Sequence, residues 1–270
     1  MFARSATTRA EAWLLAAERM QETHEREYNV VLEVQQPELA TDVSRAIEKK
    51  VDTFLRTKGA QPTHTVAETI FPATEYQYGG IGAVYDYPDS VFRFIEGPET
   101  RWGTYALRLT QRTCSDGTKL IPLELVINKL KKQVKSGNAM RAIYELDLGF
   151  EAMDLKLYEA EDDHNAHRGG QCLSHISLKL GENGELYLTA LYRYQYFVQK
   201  ALGNFLGLAR LQAAIAHEAG IPVGPLVCHA TMAVLEDKQF ESNLNWSRAE
   251  VSALIRECQA TRNGAVVEAA

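Results

Sequence analysis

The segment from Arg168 to His175 concentrates residue types that nucleophilic catalysis uses. Cys172 offers a soft nucleophile, the two glycines before it let the backbone approach a ligand closely, and Arg168 supplies a positive charge that stabilises a thiolate. A free cysteine is also among the residue types most often buried, so a small apolar residue at the start of a strand is the alternative interpretation of Cys172. The segment therefore predicts either a reactive thiolate or a core position.

A second group of candidates lies between a predicted strand and an apolar helix. Arg193, flanked by Tyr192 and Tyr194, can hold a phosphate through paired N–H groups, and the tyrosines add hydroxyls and stacking faces. Asn204 follows Arg193 by eleven residues, and its buried amide suits the edge of a pyrimidine, which needs both a donor and an acceptor. A surface arginine and an asparagine bonded to backbone are the alternatives.

Other combinations of nucleophiles and metal-ligand types carry weaker signals. The acidic and histidine residues from Asp162 to His175 lack the tight spacing of a metal site, and a polar surface loop explains them. Cys228 and His229 are neighbours on a predicted strand, so their side chains point to opposite faces. Cys172 with His175 would make a cysteine hydrolase or acyl transferase, although residues three apart on a strand also face opposite ways.

The composition is that of an ordinary globular protein. The chain has 270 residues, of which 46% are hydrophobic and 24% charged, and this excludes collagenous, low-complexity and disordered classes. A net charge of −6 argues against binding to nucleic acid or an anionic membrane as the main activity. No apolar run reaches the roughly 20 residues of a membrane span, and the start lacks the apolar core of a signal peptide. Four widely spaced cysteines without a C-x-x-C pair favour a reducing, cytoplasmic compartment.

The hydropathy pattern predicts an α+β fold that places these residues at strand ends and helix starts. The predicted helices are 7–23, 42–58 with Asp42 as its cap, 123–135, 197–219 and 247–258. The predicted strands are 26–37, 141–146, a hairpin over 175–194 that turns at Asn183-Gly184, and 221–235. Gly79, Gly80 and Gly82 predict a loop. The segment 197–219 is apolar on nearly all sides, which predicts a long buried central helix.

The order of these features resembles the thymidylate synthase and pyrimidine hydroxymethylase superfamily over about residues 65–235. That family has a Glu-bearing helix, a Tyr/Trp-Gly segment, an Arg-Arg strand that reaches the partner subunit's phosphate, a Pro-Cys-His nucleophile strand, a Gln-Arg-Ser phosphate segment and a base-reading Asn. This chain has only one of the two arginines of the Arg-Arg strand. The similar residues are, in the same order, Glu68, Trp102-Gly103, Arg141, Gln171-Cys172, Tyr192-Arg193-Tyr194 and Asn204. The Arg193-to-Asn204 spacing is the most specific of these.

The chain also departs from the family pattern. The family's His after the nucleophile is replaced by Leu173, and its Ser and Asp after the phosphate Arg are replaced by Tyr194 and Tyr196. The sugar-contacting strand, Gly-Asp-x-His-x-Tyr in the family, is Thr231-Met232-Ala233-Val234-Leu235-Glu236 in this chain. The resemblance therefore supports the fold and the covalent step better than it supports the family's usual deoxynucleotide.

The resemblance implies a single thymidylate synthase-like domain over residues 1–270, with a large mixed sheet packed against helices, acting as a homodimer. Residues 1–60 are then a divergent N-terminal part and 258–270 a frayed tail. The implied reaction transfers one carbon from 5,10-methylenetetrahydrofolate to C5 of a pyrimidine nucleotide or a nucleotide-like metabolite. Hydride transfer then gives a methyl product, whereas capture by water gives a hydroxymethyl product.

The implied roles divide among ten residues. Cys172 would add to C6 of the ring, and Glu68, partly buried beside Ile70 and Phe71, would move protons. The implied substrate-binding residues are Arg193, Asn204, Arg168, Arg141, Gln171, Tyr192 and Tyr194, and Trp102 would contact the folate. A nucleotide-binding or regulatory relative that has lost turnover is the main alternative, since the family's His and sugar strand are missing.

Overall fold

The computed structural model describes residues 1–97, 100, 102–114, 116–136, 154–157 and 171–268. The chain divides into two compact units, each made from separate stretches of sequence. Unit 1 contains Met1–Ala67, Tyr192–Ala209 and Pro225–Ala270, and unit 2 contains Glu68–Leu191 and Arg210–Gly224. The single domain over residues 1–270 stays a prediction.

The chain alternates helices with short and long strands. In chain order the helices are α1 (Arg9–Glu22), α2 (Asp42–Thr57), α3 (Thr63–Glu68), α4 (Ala73–Tyr85), α5 (Arg93–Ile95), α6 (Tyr105–Thr110), α7 (Pro122–Ser136), α8 (Leu202–Ala219) and α9 (Arg248–Glu268). The strands are β1 (Phe2–Ala6), β2 (Arg26–Val34), β3 (Arg112–Thr113), β4 (Lys119–Leu120), β5 (Asp154–Lys156), β6 (Leu173–Leu180), β7 (Leu186–Tyr192), β8 (Gln195–Tyr196) and β9 (Val223–Val234). Two π-helical turns cover Pro88–Phe92 and Phe197–Ala201.

Unit 1 is built on a mixed sheet. β1 runs parallel to β2, β2 runs antiparallel to β9, and the short β8 runs parallel to β9. The connection from β1 to β2 is α1, which packs against both strands and against α2 and α9. Its apolar face is fully buried, as the helical spacing predicts; this face comprises Trp13, Leu14, Ala17 and Met20.

Unit 2 holds the strands of the predicted hairpin. β6 and β7 flank a turn in which Gly184 has φ +82°, the left-handed conformation that the Asn-Gly pair supplies. β5 pairs antiparallel with β6. α7 packs against α6 and β5 and buries Leu123, Val126, Ile127 and Leu130, so the predicted helix over 123–135 is confirmed.

The long helix α8 is buried on nearly all sides. Phe205, Leu208 and Leu211 are fully buried, and Ala214, whose side chain points about 180° away from that of Phe205, is buried as well. The prediction of a buried helix is therefore confirmed, but its first five residues, Phe197–Ala201, form a π-helical turn rather than α-helix. With the mixed pairing in unit 1, this establishes an α+β fold in which a mixed sheet packs against helices.

Two local predictions near the helices α2 and α4 are wrong. Gly79, Gly80 and Gly82 lie inside α4 rather than in a loop, and of these three only Gly80 interrupts the helix, with φ +64°. The cap of α2 is Thr41, whose hydroxyl accepts from the backbone N–H of Ser44, so Asp42 is the first helical residue.

The C-terminal helix is longer than expected. α9 continues to Glu268 where a frayed tail from 258 was predicted, because Cys258 is fully buried and anchors the helix. The predicted strand 141–146 lies outside the described residues. Within the part of the chain that the structure describes, no helix has the length and apolar character needed to cross a membrane.

Candidate functional site

Cys172 directly precedes β6, and the backbone on both sides of it is anchored by one phenol group. The N–H groups of Cys172 and Leu173 both donate to the hydroxyl oxygen of Tyr105, at 3.1 and 3.0 Å. Tyr105 is the first residue of α6, whose start is capped because the Thr104 hydroxyl accepts from the Leu107 N–H at 3.1 Å. The Cys172 side chain is neither fully buried nor fully exposed. A rigid helix terminus therefore holds the cysteine backbone while the thiol keeps some access.

The phenol of Tyr105 stays neutral. Burial raises the pKa of Tyr105 above its ordinary value of 10, and negative charge on Cys172 raises it further. The second effect means that the phenol group lies close enough to Cys172 to interact electrostatically with a thiolate there. In the sequence Tyr105 stands out only as a neighbour of Trp102, and nothing in its local pattern indicates this contact.

Gln171 uses its amide nitrogen inside the protein. The residue is 7% exposed, and its Nε2 donates to the carbonyl oxygens of Trp102 and Gly103, both at 2.9 Å. Arg108 donates to the same Trp102 carbonyl at 3.1 Å and to the Leu157 carbonyl at 2.7 Å. The predicted folate residue Trp102 and the predicted nucleophile are thus tied together through Gln171, which acts as a structural link.

Glu68 ends α3 and forms an ion pair within unit 2. Its Oε1 lies 3.1 Å from Nη1 of Arg210, and its other carboxylate oxygen accepts from the N–H of Thr74 at 3.4 Å. The two charged side chains are about a quarter exposed. Glu68 is therefore partly buried, as predicted, but a guanidinium faces it and favours the ionised carboxylate.

In unit 1, Arg193 is exposed between β7 and β8. Its backbone carbonyl accepts from the Thr231 hydroxyl at 2.7 Å, which fixes the chain at this point to β9. Tyr192, by contrast, is fully buried at the end of β7 and occupies a core position. Tyr194 packs its ring edge-on against Tyr196, with 5.1 Å between the ring centroids. Of the predicted phosphate segment, Arg193 is the residue whose side chain reaches solvent most freely.

Asn204 lies in the first turn of α8 and is 6% exposed. Among the described residues, no hydrogen bond satisfies its side-chain amide, whereas the buried amide of Gln212 on the same helix donates to the carbonyls of Leu186 and Gly224 at 2.7 and 2.9 Å. The amide atoms keep some contact with solvent, since they are not among the fully buried, unpartnered polar atoms of the described residues. Such a group is suited to a ligand that supplies the missing donor and acceptor.

Glu236 is the most deeply buried acidic residue in the described part of the chain. It follows β9 directly, is 0% exposed, and its two carboxylate oxygens accept from the backbone N–H groups of Val198 at 3.1 Å and Gln199 at 2.7 Å. Burial raises the pKa of Glu236 from 4.5 to about 7, and these N–H groups limit the rise. In the sequence Glu236 appears only as the last residue of the altered sugar strand. Its position directly after a long apolar strand is the one feature that could have indicated a buried carboxylate.

Arg141, Arg168 and the histidines between Asp162 and Gln171 lie outside the described residues. Elsewhere in the described chain, no group of three or more His, Cys, Asp or Glu side chains is arranged to hold a metal ion.

The cysteines separate into two pairs by burial. Cys114 and Cys172 are half-buried and Cys228 and Cys258 are buried, and none of these four described cysteines is in a disulfide. Burial raises the pKa of the Cys228 thiol to about 12. The neighbouring His229 instead approaches Oδ1 of Asn29 at 3.2 Å on the opposite face, as the strand argument predicts.

The described residues thus give an α+β chain with an anchored, half-buried cysteine in one unit, and an exposed arginine eleven residues before a buried asparagine in the other. Comparison with known proteins found no matching protein-family model and no matching curated protein.

Proposed function

We propose that the chain is a thymidylate synthase-like one-carbon transferase that modifies C5 of a pyrimidine nucleotide or nucleotide-like metabolite and acts as a homodimer. The observation that carries this proposal is Asn204, a buried amide that no described residue satisfies, at the start of a helix eleven residues after the exposed Arg193. An arginine and an amide together suit a phosphorylated heterocycle, because the guanidinium can hold the phosphate and the amide can pair with the edge of the base.

Binding is assigned to the unit 1 residues. The Arg193 guanidinium holds the phosphate through paired N–H donors, since its backbone is fixed by Thr231 while its side chain is exposed. The Asn204 amide donates one hydrogen bond to the base and accepts one from it, so the ring is oriented as well as bound.

Covalent activation is assigned to Cys172. Its thiolate adds to C6 of the pyrimidine, and the electron pair displaced from the C5–C6 bond makes C5 nucleophilic. After C5 has gained its carbon substituent and lost its proton, the C6–S bond breaks and the thiolate leaves. Tyr105 holds the backbone N–H groups around the sulfur, so attack requires no reorganisation of the chain at this point.

Proton transfer is assigned to Glu68. Its carboxylate lies 3.1 Å from the Arg210 guanidinium and is about a quarter exposed, so it can accept a proton directly or through one water molecule. Arg210 also fixes the orientation of the carboxylate. Arg210 is therefore a partner of the base rather than a substrate residue.

The carbon donor implied by the resemblance is 5,10-methylenetetrahydrofolate, which supplies a carbon at the oxidation state of formaldehyde and a hydride for a methyl product. The half-buried Trp102 offers an indole face on which a flat pterin ring can stack. Hydrogen bonds from Gln171 and Arg108 to its backbone carbonyl hold the backbone from which the indole projects.

The test is release of tritium from C5 of dUMP, dCMP, UMP and CMP in the presence of the folate. At least one nucleotide should release tritium, and Cys172→Ser should abolish the release. Cys114→Ser is the matched control, since Cys114 is also a free, half-buried cysteine. A 5-fluoro analogue of the active nucleotide should add its mass, with that of the folate, to the peptide that contains Cys172. Release that survives Cys172→Ser would contradict the proposal.

A second candidate is a nucleotide-binding or regulatory relative without turnover, and Glu236 favours it. This residue stands where the family's sugar-contacting Tyr would be, and its carboxylate is buried against backbone N–H groups. Tight binding of a nucleotide without tritium release from any of the four would support this second function.

A further inference from the structure

We propose that Glu236 is a positioning residue for nucleotide recognition: its carboxylate fixes the turn that leads into α8 and so sets the place of Asn204 relative to Arg193. This inference rests on the proposed function, because it concerns how the same two side chains are brought to one ligand. All of the residues it uses lie in unit 1.

A short, irregular connection joins the two recognition residues. From Arg193 the chain passes through β8 and the π-helical turn Phe197–Ala201, and it reaches Asn204 two residues after α8 begins. Each residue of an α-helix rotates its side chain by about 100° and advances it by about 1.5 Å. A shift of one residue in this turn would therefore point Asn204 in a different direction.

Buried side chains hold this turn from two sides. The carboxylate of Glu236 accepts from the successive N–H groups of Val198 and Gln199, at 3.1 and 2.7 Å. On the other side, the indole N–H of Trp13 donates to the carbonyl oxygen of Phe197 at 2.9 Å. N–H groups at a helix start have no partner within the helix, and in this turn one buried side chain supplies the partner for two of them. The turn is therefore held by hydrogen bonds at two of its backbone N–H groups and at one of its carbonyl oxygens.

The backbone that carries Glu236 is itself fixed. Trp246, which is buried, donates its indole N–H to the backbone carbonyl oxygen of Glu236 at 2.7 Å. The preceding residue, Leu235, donates its N–H to the Glu25 carbonyl at 2.9 Å. The carboxylate therefore projects from a backbone that is held on both sides.

Lys200, on the same turn, provides the positive charge that faces the carboxylate. It interacts electrostatically with Glu236, and its ammonium donates to Oε1 of Gln61 at 2.8 Å. Asp237 follows Glu236, is almost fully buried, and has Arg248 at 3.9 Å as its own counter-charge. When Glu236 is ionised, its negative charge also complements the dipole of α8.

The experiment measures binding of dUMP and dCMP by calorimetry, at a temperature well below the unfolding of each variant. Glu236→Gln replaces one acceptor oxygen by an NH₂ group, so it should weaken binding of the recognised nucleotide about tenfold, as the loss of one hydrogen bond to a charged group predicts. Glu257→Gln, on α9, is the control and should bind as the wild type does. In an Asn204→Ala background the effect of Glu236→Gln should disappear, because the two residues act through one another.

A purely structural role would give another pattern. Glu236→Gln would then lower the unfolding temperature, but the folded protein would bind nucleotide with an unchanged dissociation constant, and this result overturns the inference. If Glu236→Gln does not fold, Glu236→Asp serves instead, since it keeps the charge but is one methylene too short to reach both N–H groups.

Amide hydrogen exchange separates failure of this inference from failure of the proposed function. In Glu236→Gln, exchange at Val198 and Gln199 should quicken and the change should extend to Asn204, whether or not a nucleotide binds. If the wild type binds neither nucleotide and also releases tritium from none of the four nucleotides tested above, the proposed function fails. Unchanged exchange in the variant would overturn the positioning role.

Discussion

Gly203 lies so close to Val66 that a Cβ atom added to the glycine would be 2.6 Å from the Cβ of Val66. The same added atom would lie 2.8 Å from the carbonyl oxygen of Thr63. Both neighbours belong to α3, and Thr63 contributes backbone, which cannot move aside. The first turn of α8 therefore packs against α3 at a distance that only glycine allows, one residue before Asn204.

Gly203→Ala should destabilise the protein by about 1–3 kcal/mol, because overpacking forces the two helices apart. The free energy of unfolding in urea measures this. Gly82→Ala is the matched control: Gly82 also lies in a helix, but a Cβ there has nothing within 4 Å. It should be neutral or stabilising by up to about 1 kcal/mol. Equal effects at both positions would contradict the close packing.

Tyr105→Phe removes the oxygen that accepts from Cys172 and Leu173. Two backbone N–H groups then lose their acceptor, so we expect a loss of about 1–3 kcal/mol in stability. Tritium release should fall as well, since the sulfur is no longer held in place. Tyr78→Phe controls for loss of a phenol oxygen, because Tyr78 is 84% exposed. If both variants keep wild-type stability and turnover, the phenol does not anchor the cysteine.

Glu68→Gln should separate stability from turnover. The Glu68–Arg210 pair is partly exposed, so the free energy of unfolding should change by no more than about 1 kcal/mol. Tritium release should fall by roughly 10² to 10⁴, the usual contribution of a general base. Arg210→Gln removes the same ion pair but keeps the carboxylate, and its release should fall much less. Comparable losses of tritium release in the two variants would show that turnover depends on the ion pair and not on Glu68 as a base.

Glu236 should make stability depend on pH. Its pKa is raised in the fold from 4.5 to about 7, so its contribution to stability is fully present below about pH 4.5 and is lost as pH rises through 7. At about 1.4 kcal/mol per pKa unit, the loss is on the order of 3 kcal/mol. Urea midpoints from pH 4.5 to 8 measure it, and the difference between the wild type and Glu236→Gln isolates this residue. A difference that does not change with pH would show that Glu236 keeps an ordinary pKa.

Local patterns predict the elements in which one face is apolar or in which a turn needs a particular backbone. The spacing of Trp13, Leu14 and Met20 predicts α1, and all three are buried. Asn183-Gly184 predicts the β6–β7 hairpin because Gly184 must adopt a positive φ, as it does. The capping pair Ser247 and Glu250 likewise starts α9: the Ser247 N–H donates to the Glu250 carboxylate at 2.8 Å.

Contacts between distant parts of the chain decide the features that local patterns miss. Because glycine is a poor helix former, a local rule predicts a loop at Gly79 and Gly82. The fold nevertheless places both residues inside α4. Glu236 is buried because backbone N–H groups 37 and 38 residues earlier donate to it. The anchoring of Cys172 by Tyr105, 67 residues earlier, depends in the same way on the tertiary fold. The sequence therefore points to Cys172 and Asn204 but not to the groups that hold them.

The three tryptophans lie in two kinds of surroundings, so their fluorescence reports on two different events. Trp13 and Trp246 are buried in unit 1 with their indole N–H groups bonded to carbonyl oxygens, so their fluorescence responds to unfolding of that unit. Trp102 is half-buried in unit 2, and its carbonyl is tied to the residue before Cys172. In a double variant that keeps only Trp102, a change in tryptophan fluorescence would report the binding of a ligand beside Cys172.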